Sequence, residues 1–383
     1  MKIKQLDIKG FRSLKDVSWQ PGDLNVVIGQ NGTGKSNLLR IFELIAASAQ
    51  GRLSKHIQAA GGMGAIVWDG VSPSISIRLV FEQLNYEYEM ELSRIGQSTS
   101  YRVQSESLTG SEFWIRDGQV STKHIERSDG QDFYRYLPFE QLEKKEVSPE
   151  ETLLSVPFPV NPDITMFRDE LNKITVYHYL NVGQDSKIRQ APVARFEKQV
   201  EPDGQNLVTV LHTLYTGNRE FERNIDDAMR AAFGHDYEKL VFPPAADQRV
   251  QLRVRWRTLQ REQSAADLSD GTLRFLLLLT VLTAPDPPML IAIDEPETGL
   301  HPAMYPIIAE FAAEAALRTQ LVFTTHSPQF LDAFTENKPT TTVATWENGE
   351  TSLHTLEGAA LDYWLKDYSL GALFESGQLE AMT

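Results

Sequence analysis

The sequence predicts a mixed α/β protein: a largely parallel sheet that carries a glycine-rich turn, an antiparallel β subdomain set into it, and a helical lobe. Three observations predict this class. The apolar run LNVVIG (24–29) leads through the glycine-rich GQNGTGKS into a stretch with Leu38, Phe42 and Ile45 on one helical face. Two later apolar runs, MLIAI (289–293) and QLVFTT (320–325), stand one helix length apart, as in a parallel strand-helix-strand unit. From Ser74 to His124, the short runs SISIRLVF, YEYEMEL, TSYRVQS and SEFWIRDGQVS are split by Gly, Ser and Asn, which predicts an antiparallel meander.

In order along the chain, MKIKQLDI alternates as a strand before the turn FRSLKDVSWQPG, and the phosphate-loop unit follows. After the meander, 138–162 is acidic and carries five prolines, which predicts an irregular insertion. KITVYHYL reads as a buried strand, and the section from about Pro192 to His235 reads as mostly helical. RVQLRVRWRTLQR places Arg249, Arg253, Arg255 and Arg257 on one side of a strand, and Val250, Leu252, Val254 and Trp256 on the other. The small polar turn LSDGTLR then runs into the apolar FLLLLTVL, and a helix is expected from about Pro302 to Arg318.

At 383 residues the chain exceeds the usual size of one domain, so two lobes or a large insertion are expected. The longest apolar run is far shorter than the roughly 20 residues of a membrane span. The N-terminus has no apolar block of a secretory leader, so a cytoplasmic protein without a membrane partner is expected. The absence of cysteine excludes disulfides, thiolate metal sites and a cysteine nucleophile. A net charge of −15 disfavours coating of nucleic acid by the whole surface and leaves a local basic patch open.

The residues Gly29, Gln30, Asn31, Gly32, Thr33, Gly34, Lys35 and Ser36 match G-x-x-x-x-G-K-[ST]. Glycines let the backbone wrap a triphosphate with N–H groups and a helix N-terminus aimed at it. Lys35 would bridge the β- and γ-phosphates and Ser36 would bind Mg2+, with Asn37 next in the helix. MLIAIDE delivers two acids at the C-terminal edge of a buried strand. Asp294 would hold Mg2+, and Glu295 would orient or deprotonate the attacking water. His326 follows the third apolar strand, in position to approach the γ-phosphate.

Taken together, these stretches resemble an ATP-binding-cassette (ABC) ATPase, nearer to the RecF, SMC and OLD group than to transporters. The likeness rests on IKGFRSLKDVSW with LNVVIGQNGTGKSNLLR, on AIDEPETGLHP as Walker B and D-loop, on TTHSP as the switch histidine, and on LSDGT as the signature. It covers about 1–50 and 265–335, and implies the P-loop head fold, ATP and Mg2+. Lobe I would then comprise 1–185 and 286–345, the helical signature-bearing lobe II 186–285, and a tail 346–383. The resemblance also implies a head-to-tail homodimer, in which Ser269 and Gly271 clamp the nucleotide bound by the other copy. Two departures stand out. Asp270 replaces the usual second glycine of LSGGQ, and an acid there would repel a phosphate; the glutamine of that signature is Thr272. No Q-loop is evident; Gln184, just after a strand, is the candidate metal-side glutamine, and Arg12 beside Phe11 is a candidate for base and ribose.

No D-x-D occurs, so the Toprim nuclease of OLD proteins is missing, and SMC-type heptads are lacking. The expected function is an ATPase whose dimer controls a separate effector, such as a Toprim or HNH nuclease, or DNA, in phage defence or genome maintenance. Tyr363, Trp364, Leu365 and Leu370 of the tail offer apolar anchors for such a partner or for the ATPase core. One alternative is a slow ATP-gated DNA clamp using the arginine face, whose other reading is a solvated strand paired with acids. A transporter subunit is a second alternative.

Overall fold

The computed structural model describes residues 1–83, 85–96, 99–111, 122–128, 130–135, 142–144, 147–156, 161–356 and 368–381. The run SEFWIRDGQVS, parts of 138–162, and Tyr363, Trp364 and Leu365 therefore lie mostly or wholly outside the described residues.

The chain opens with a hairpin, β1 (Ile3–Phe11) and β2 (Leu14–Trp19), followed by β3 (Leu24–Ile28), which is buried at all five positions. Helix α1 (Lys35–Ala49) starts directly after Gly34. Two short helices, α2 (Leu53–Ala59) and α3 (Met63–Ile66), lead to the meander: β4 (Ser74–Phe81), β5 (Glu87–Arg94), β6 (Tyr101–Gly110), β7 (Thr122–Ser128), β8 (Gln131–Arg135) and β9 (Leu142–Lys144). With β2 and β1 at one end, these strands form an eight-stranded sheet whose successive partners are antiparallel. The alternating sequence makes β4 half-buried, with Ile75, Ile77, Leu79 and Phe81 facing the core.

Helix α4 (Pro162–Asn172) and β10 (Thr175–Tyr177) come next, then α5 (Leu207–Gly217) and α6 (Arg219–Phe233). Small sheets of β11 (Tyr237–Val241), β12 (Pro244–Ala245), β13 (Arg249–Val250), β14 (Arg253–Trp256) and β15 (Gln263–Ser264) precede α7 (Asp270–Thr283). The remaining elements are β16 (Leu290–Asp294), α8 (Tyr305–Ala316), β17 (Gln320–Thr325), α9 (Pro328–Asp332), β18 (Thr340–Glu347), β19 (Glu350–Thr355) and two short helices, Leu370–Glu375 and Gln378–Ala381. The main sheet has the order β10-β16-β17-β3-β18-β19, all parallel except β19. The hairpin β18–β19 thus carries this sheet into the segment read from sequence as a tail.

Period-two geometry explains how this sheet serves two cores. Val26, Ile28, Ile291, Ile293, Leu321 and Phe323 pack with α5–α8, whereas Val27, Leu290, Ala292 and Val322 pack with α1 and the antiparallel sheet. Because five strands run the same way, the residues following β3, β10, β16 and β17 all emerge at one edge. That edge carries the site.

The described part of the proline-rich insertion is packed. Leu153 and Leu154 are fully buried, and their N–H groups donate to Glu106 at 2.5 and 3.1 Å, beside the Tyr88 hydroxyl at 2.9 Å. Burial pushes the Glu106 carboxyl up to about 7, against these hydrogen bonds and the charge of Arg127. The folded chain therefore holds a proton on Glu106 that the unfolded chain has released, and stability falls as pH rises from the ordinary glutamate range through 7. Urea unfolding at pH 5.5 and 8 is expected to show this loss, and Glu106→Gln should flatten it. An unchanged pH slope in the variant would place the titration elsewhere.

Candidate functional site

The phosphate loop is shaped by its glycines. Gly29, Gly32 and Gly34 all have positive φ (153°, 86° and 97°). A Cβ on Gly34 would lie 2.1 Å from Thr351 Oγ1, and one on Gly29 2.4 Å from the Ala344 carbonyl oxygen, so neither position has room for a side chain. Asn31 is exposed at the mouth of the loop, and Thr33 Oγ1 donates to the Gln30 carbonyl at 2.9 Å. Lys35 is buried and its ammonium donates to the carbonyls of Gly29 (2.8 Å) and Gln30 (2.9 Å). Burial lowers its pKa, and Glu295, Asp294 and Glu297 act against that. The cation therefore waits within the field of three carboxylates. Asn37 Nδ2 donates to Ser13 Oγ at 2.8 Å.

Arg12 occupies a left-handed turn between β1 and β2 (φ 49°), its guanidinium carbon 5.9 Å from the Phe11 ring centroid. Its Nε is buried without a hydrogen-bond partner. Burial and the charge of Arg40 depress its pKa, while Glu43 opposes them. An unmet donor and a compressed positive charge suit an anionic or polar ligand group.

At the ends of β16 and β17 the acids are held in different ways. Asp294 is hydrogen-bonded by Thr324 and lies 3.2 Å from His178 Nδ1. Burial alone would raise its carboxyl, but hydrogen bonds from His178, Thr324 and Ser36 hold it below the usual range. Glu295 has φ 46°, a left-handed backbone costing about 1–2 kcal/mol for such a residue, and its N–H donates to the Thr324 carbonyl at 3.1 Å. The kink separates the two neighbouring acids: Asp294 meets Thr324 and His178, and Glu295 Oε1 lies 2.8 Å from His326 Nδ1. An ionised carboxylate only accepts, so Nδ1 carries the proton and Nε2 is left for another group. Glu297 is buried, takes a hydrogen bond from Thr325, and has its pKa raised by that burial.

Gln184 is exposed, in a loop. The residue of this segment that reaches Asp294 is His178, whose Nε2 also lies 3.4 Å from Glu43. Burial would lower the His178 pKa, but Asp294 and Glu43 outweigh it and raise the ring to about 9. Sequence reasoning passed over His178 although it stands one residue beyond a buried strand, the same signal that pointed to His326.

The signature turn caps α7: Ser269 Oγ accepts from Thr272 N–H at 3.1 Å. Ser269 is exposed, and among the described residues no hydrogen bond joins the turn to 29–36 of its own chain. Gly271 abuts the D-loop, where an added Cβ would sit 2.8 Å from the Gly299 carbonyl oxygen. Arg274 Nη1 donates to the Thr298 carbonyl at 2.6 Å. The repulsion expected of Asp270 needs correction. Its carboxylate is paired with Arg189, whose side chain is 4% exposed. Arg189 also donates to the carbonyls of Leu268 (2.7 Å), Ala265 and Ala266 (both 3.2 Å), and through Nε to Val182 and Gly183 (2.9 and 3.1 Å). The acid of the turn thus arrives with its own counter-charge.

One member of the arginine face is likewise met by acids. Arg255 reaches Glu262 at 2.5 Å and Glu238 at 3.9 Å, and Arg253 donates to Gln251. Of the four arginines, Arg255 is thus the acid-paired one among the described residues.

Residues 24–332 match the family described as "AAA domain, putative AbiEii toxin, Type IV TA system". The chain belongs to this family. The "DNA replication and repair protein RecF" of Lactococcus lactis subsp. cremoris, in strains SK11 and MG1363, is 29% identical over 99 residues, 25% of this chain and 26% of RecF. The chain thus spans about a quarter of the length of these curated relatives. Its fold is that of an SMC head. A crystallised SMC head bound to the C-terminal winged-helix domain of ScpA superposes with a TM-score of 0.55 at 14% identity, covering 95% of this chain and all of that one. An SMC head with extended coiled coil, bound to the C-terminal domain of ScpA derived from Pyrococcus furiosus, gives 0.52 at 12% identity, covering 95% and 98%. Among the described residues no helix of this AAA-family protein is long and apolar enough to cross a membrane.

Proposed function

We propose that this AAA-family ATPase hydrolyses ATP with Mg2+ at Gly29–Ser36, and that two copies close head to tail around two nucleotides. The observation that carries the reading is the separation of parts. Glu295 and His326 are in contact beside the phosphate loop, whereas Ser269 is exposed on a helix cap with no bond to that loop. A second copy supplies what one chain leaves open.

In the hydrolysis step Glu295 takes a proton from water as its oxygen bonds to the γ-phosphorus, and the bond from that phosphorus to the β-γ bridging oxygen breaks, releasing ADP. His326 fixes the Glu295 carboxylate through Nδ1, and its Nε2 would meet a γ-phosphate oxygen. Lys35 would exchange loop carbonyls for phosphate oxygens. A bound Mg2+ would supply positive charge to offset the negative charge developing on the phosphates. Ser36 and Asp294, hard oxygen donors, would hold that ion.

The cycle is proposed to control a separate effector such as a Toprim or HNH nuclease, in phage defence or genome maintenance. A family description that names a toxin system supports this, as do the partner-bound SMC heads of similar fold. With a non-cleavable ATP analogue, the wild type is expected to sediment as a dimer and Ser269→Arg as a nucleotide-bound monomer. A wild type that stays monomeric, or a variant that dimerises equally well, would remove the trans clamp.

A further inference from the structure

We propose that Thr351, in the C-terminal hairpin, is a positioning residue that sets the nucleotide affinity of the phosphate loop. It lies beyond the residues matched by the family, and its role rests on ATP binding at Gly29–Ser36. Thr351 is 2% exposed, and its N–H donates to the Ser13 carbonyl at 2.8 Å. Its hydroxyl is 2.8 Å from the Thr33 carbonyl oxygen and 2.7 Å from Ser13 Oγ, which in turn receives Asn37 Nδ2 at 2.8 Å.

Counting protons orders this cluster. A carbonyl oxygen only accepts, so the single Thr351 hydroxyl proton goes to Thr33. The Ser13 hydroxyl then donates to Thr351 and accepts from the Asn37 amide. The result is a directed chain from Asn37 through Ser13 and Thr351 to the loop backbone, each bond polarising the next. It ends on the peptide joining Thr33 to Gly34. With that carbonyl turned toward the hairpin, the planar trans peptide points the Gly34 N–H the opposite way. Backbone N–H groups are what such a loop offers an anion. Thr351 also fills the space beside Gly34, which keeps the left-handed Gly34 from swinging toward the hairpin. Binding the phosphate therefore requires less ordering of the loop, because one peptide is already oriented.

The test is nucleotide binding and turnover by the full chain, with Thr351→Val removing only the hydroxyl and Thr351→Ser retaining it. Thr351→Val is expected to weaken ATP binding and raise KM about tenfold, with kcat at saturating ATP unchanged and the urea midpoint confirming a folded protein. Thr351→Ser should restore wild-type affinity. A folded Thr351→Val that binds ATP as the wild type does overturns the proposal, as does a change confined to kcat. Wild-type protein that binds no ATP would instead sink the reading of the loop itself. If Thr351→Val does not fold, Ser13→Ala breaks the same chain one bond earlier and should weaken binding about threefold; unchanged affinity there overturns the proposal.

Discussion

Glu295→Gln is expected to slow ATP hydrolysis by a factor of about 100 to 1,000, the usual cost of removing one group that acts on the reacting atoms. Glutamine cannot take the proton of the attacking water. Its side-chain oxygen can still accept from His326 Nδ1, so the 2.8 Å contact survives and binding is spared. ATP should then accumulate uncleaved in a closed dimer. Phosphate release measured beside light scattering separates the two effects: turnover falls while the dimer persists. Normal hydrolysis by the variant would move the base elsewhere, and slow hydrolysis without a dimer would leave the head-to-tail arrangement unsupported.

Lys35→Ala is expected to weaken ATP binding by about two orders of magnitude or more, because charge-assisted hydrogen bonds contribute about 1.5–3 kcal/mol each. Two losses combine. The carbonyls of Gly29 and Gln30 lose their shared donor, which loosens the loop before any ligand arrives. Asp294, Glu295 and Glu297 lose the cation they surround, so a triphosphate meets three carboxylates without relief. Calorimetric titration with ATP should find little binding, and no nucleotide-dependent dimer should form. Unchanged affinity would show that the ammonium serves the loop alone.

The parts of the site that were legible in sequence are local. A glycine pattern between an apolar strand and an amphipathic helix, and acids at the end of a buried strand, each span fewer than about ten residues and carry their meaning with them. The antiparallel meander was legible for the same reason, since alternation is a nearest-neighbour signal. What escaped depends on distant pairing. His178 meets Asp294 across 116 positions, and Thr351 meets Ser13 across 338. Gln184 was the candidate as the glutamine after the predicted strand KITVYHYL; β10 ends at Tyr177, and the residue directly after it is His178. The single arginine strand read from sequence is instead two short strands of separate sheets, β13 and β14; Val250, Leu252 and Val254 are all buried, while the acids facing Arg255 come from elsewhere in the fold.

Arg189 and Asp270 behave as one inherited part. A guanidinium as enclosed as Arg189, stripped of its acid, would retain five carbonyl contacts but lose its charge balance, and a lone carboxylate in the turn would face phosphate unscreened. Neither residue can be exchanged singly without cost. A chimera that borrows the glycine-containing turn of a relative must therefore also borrow the stretch from Val182 to Arg189, because the two segments were fitted to each other.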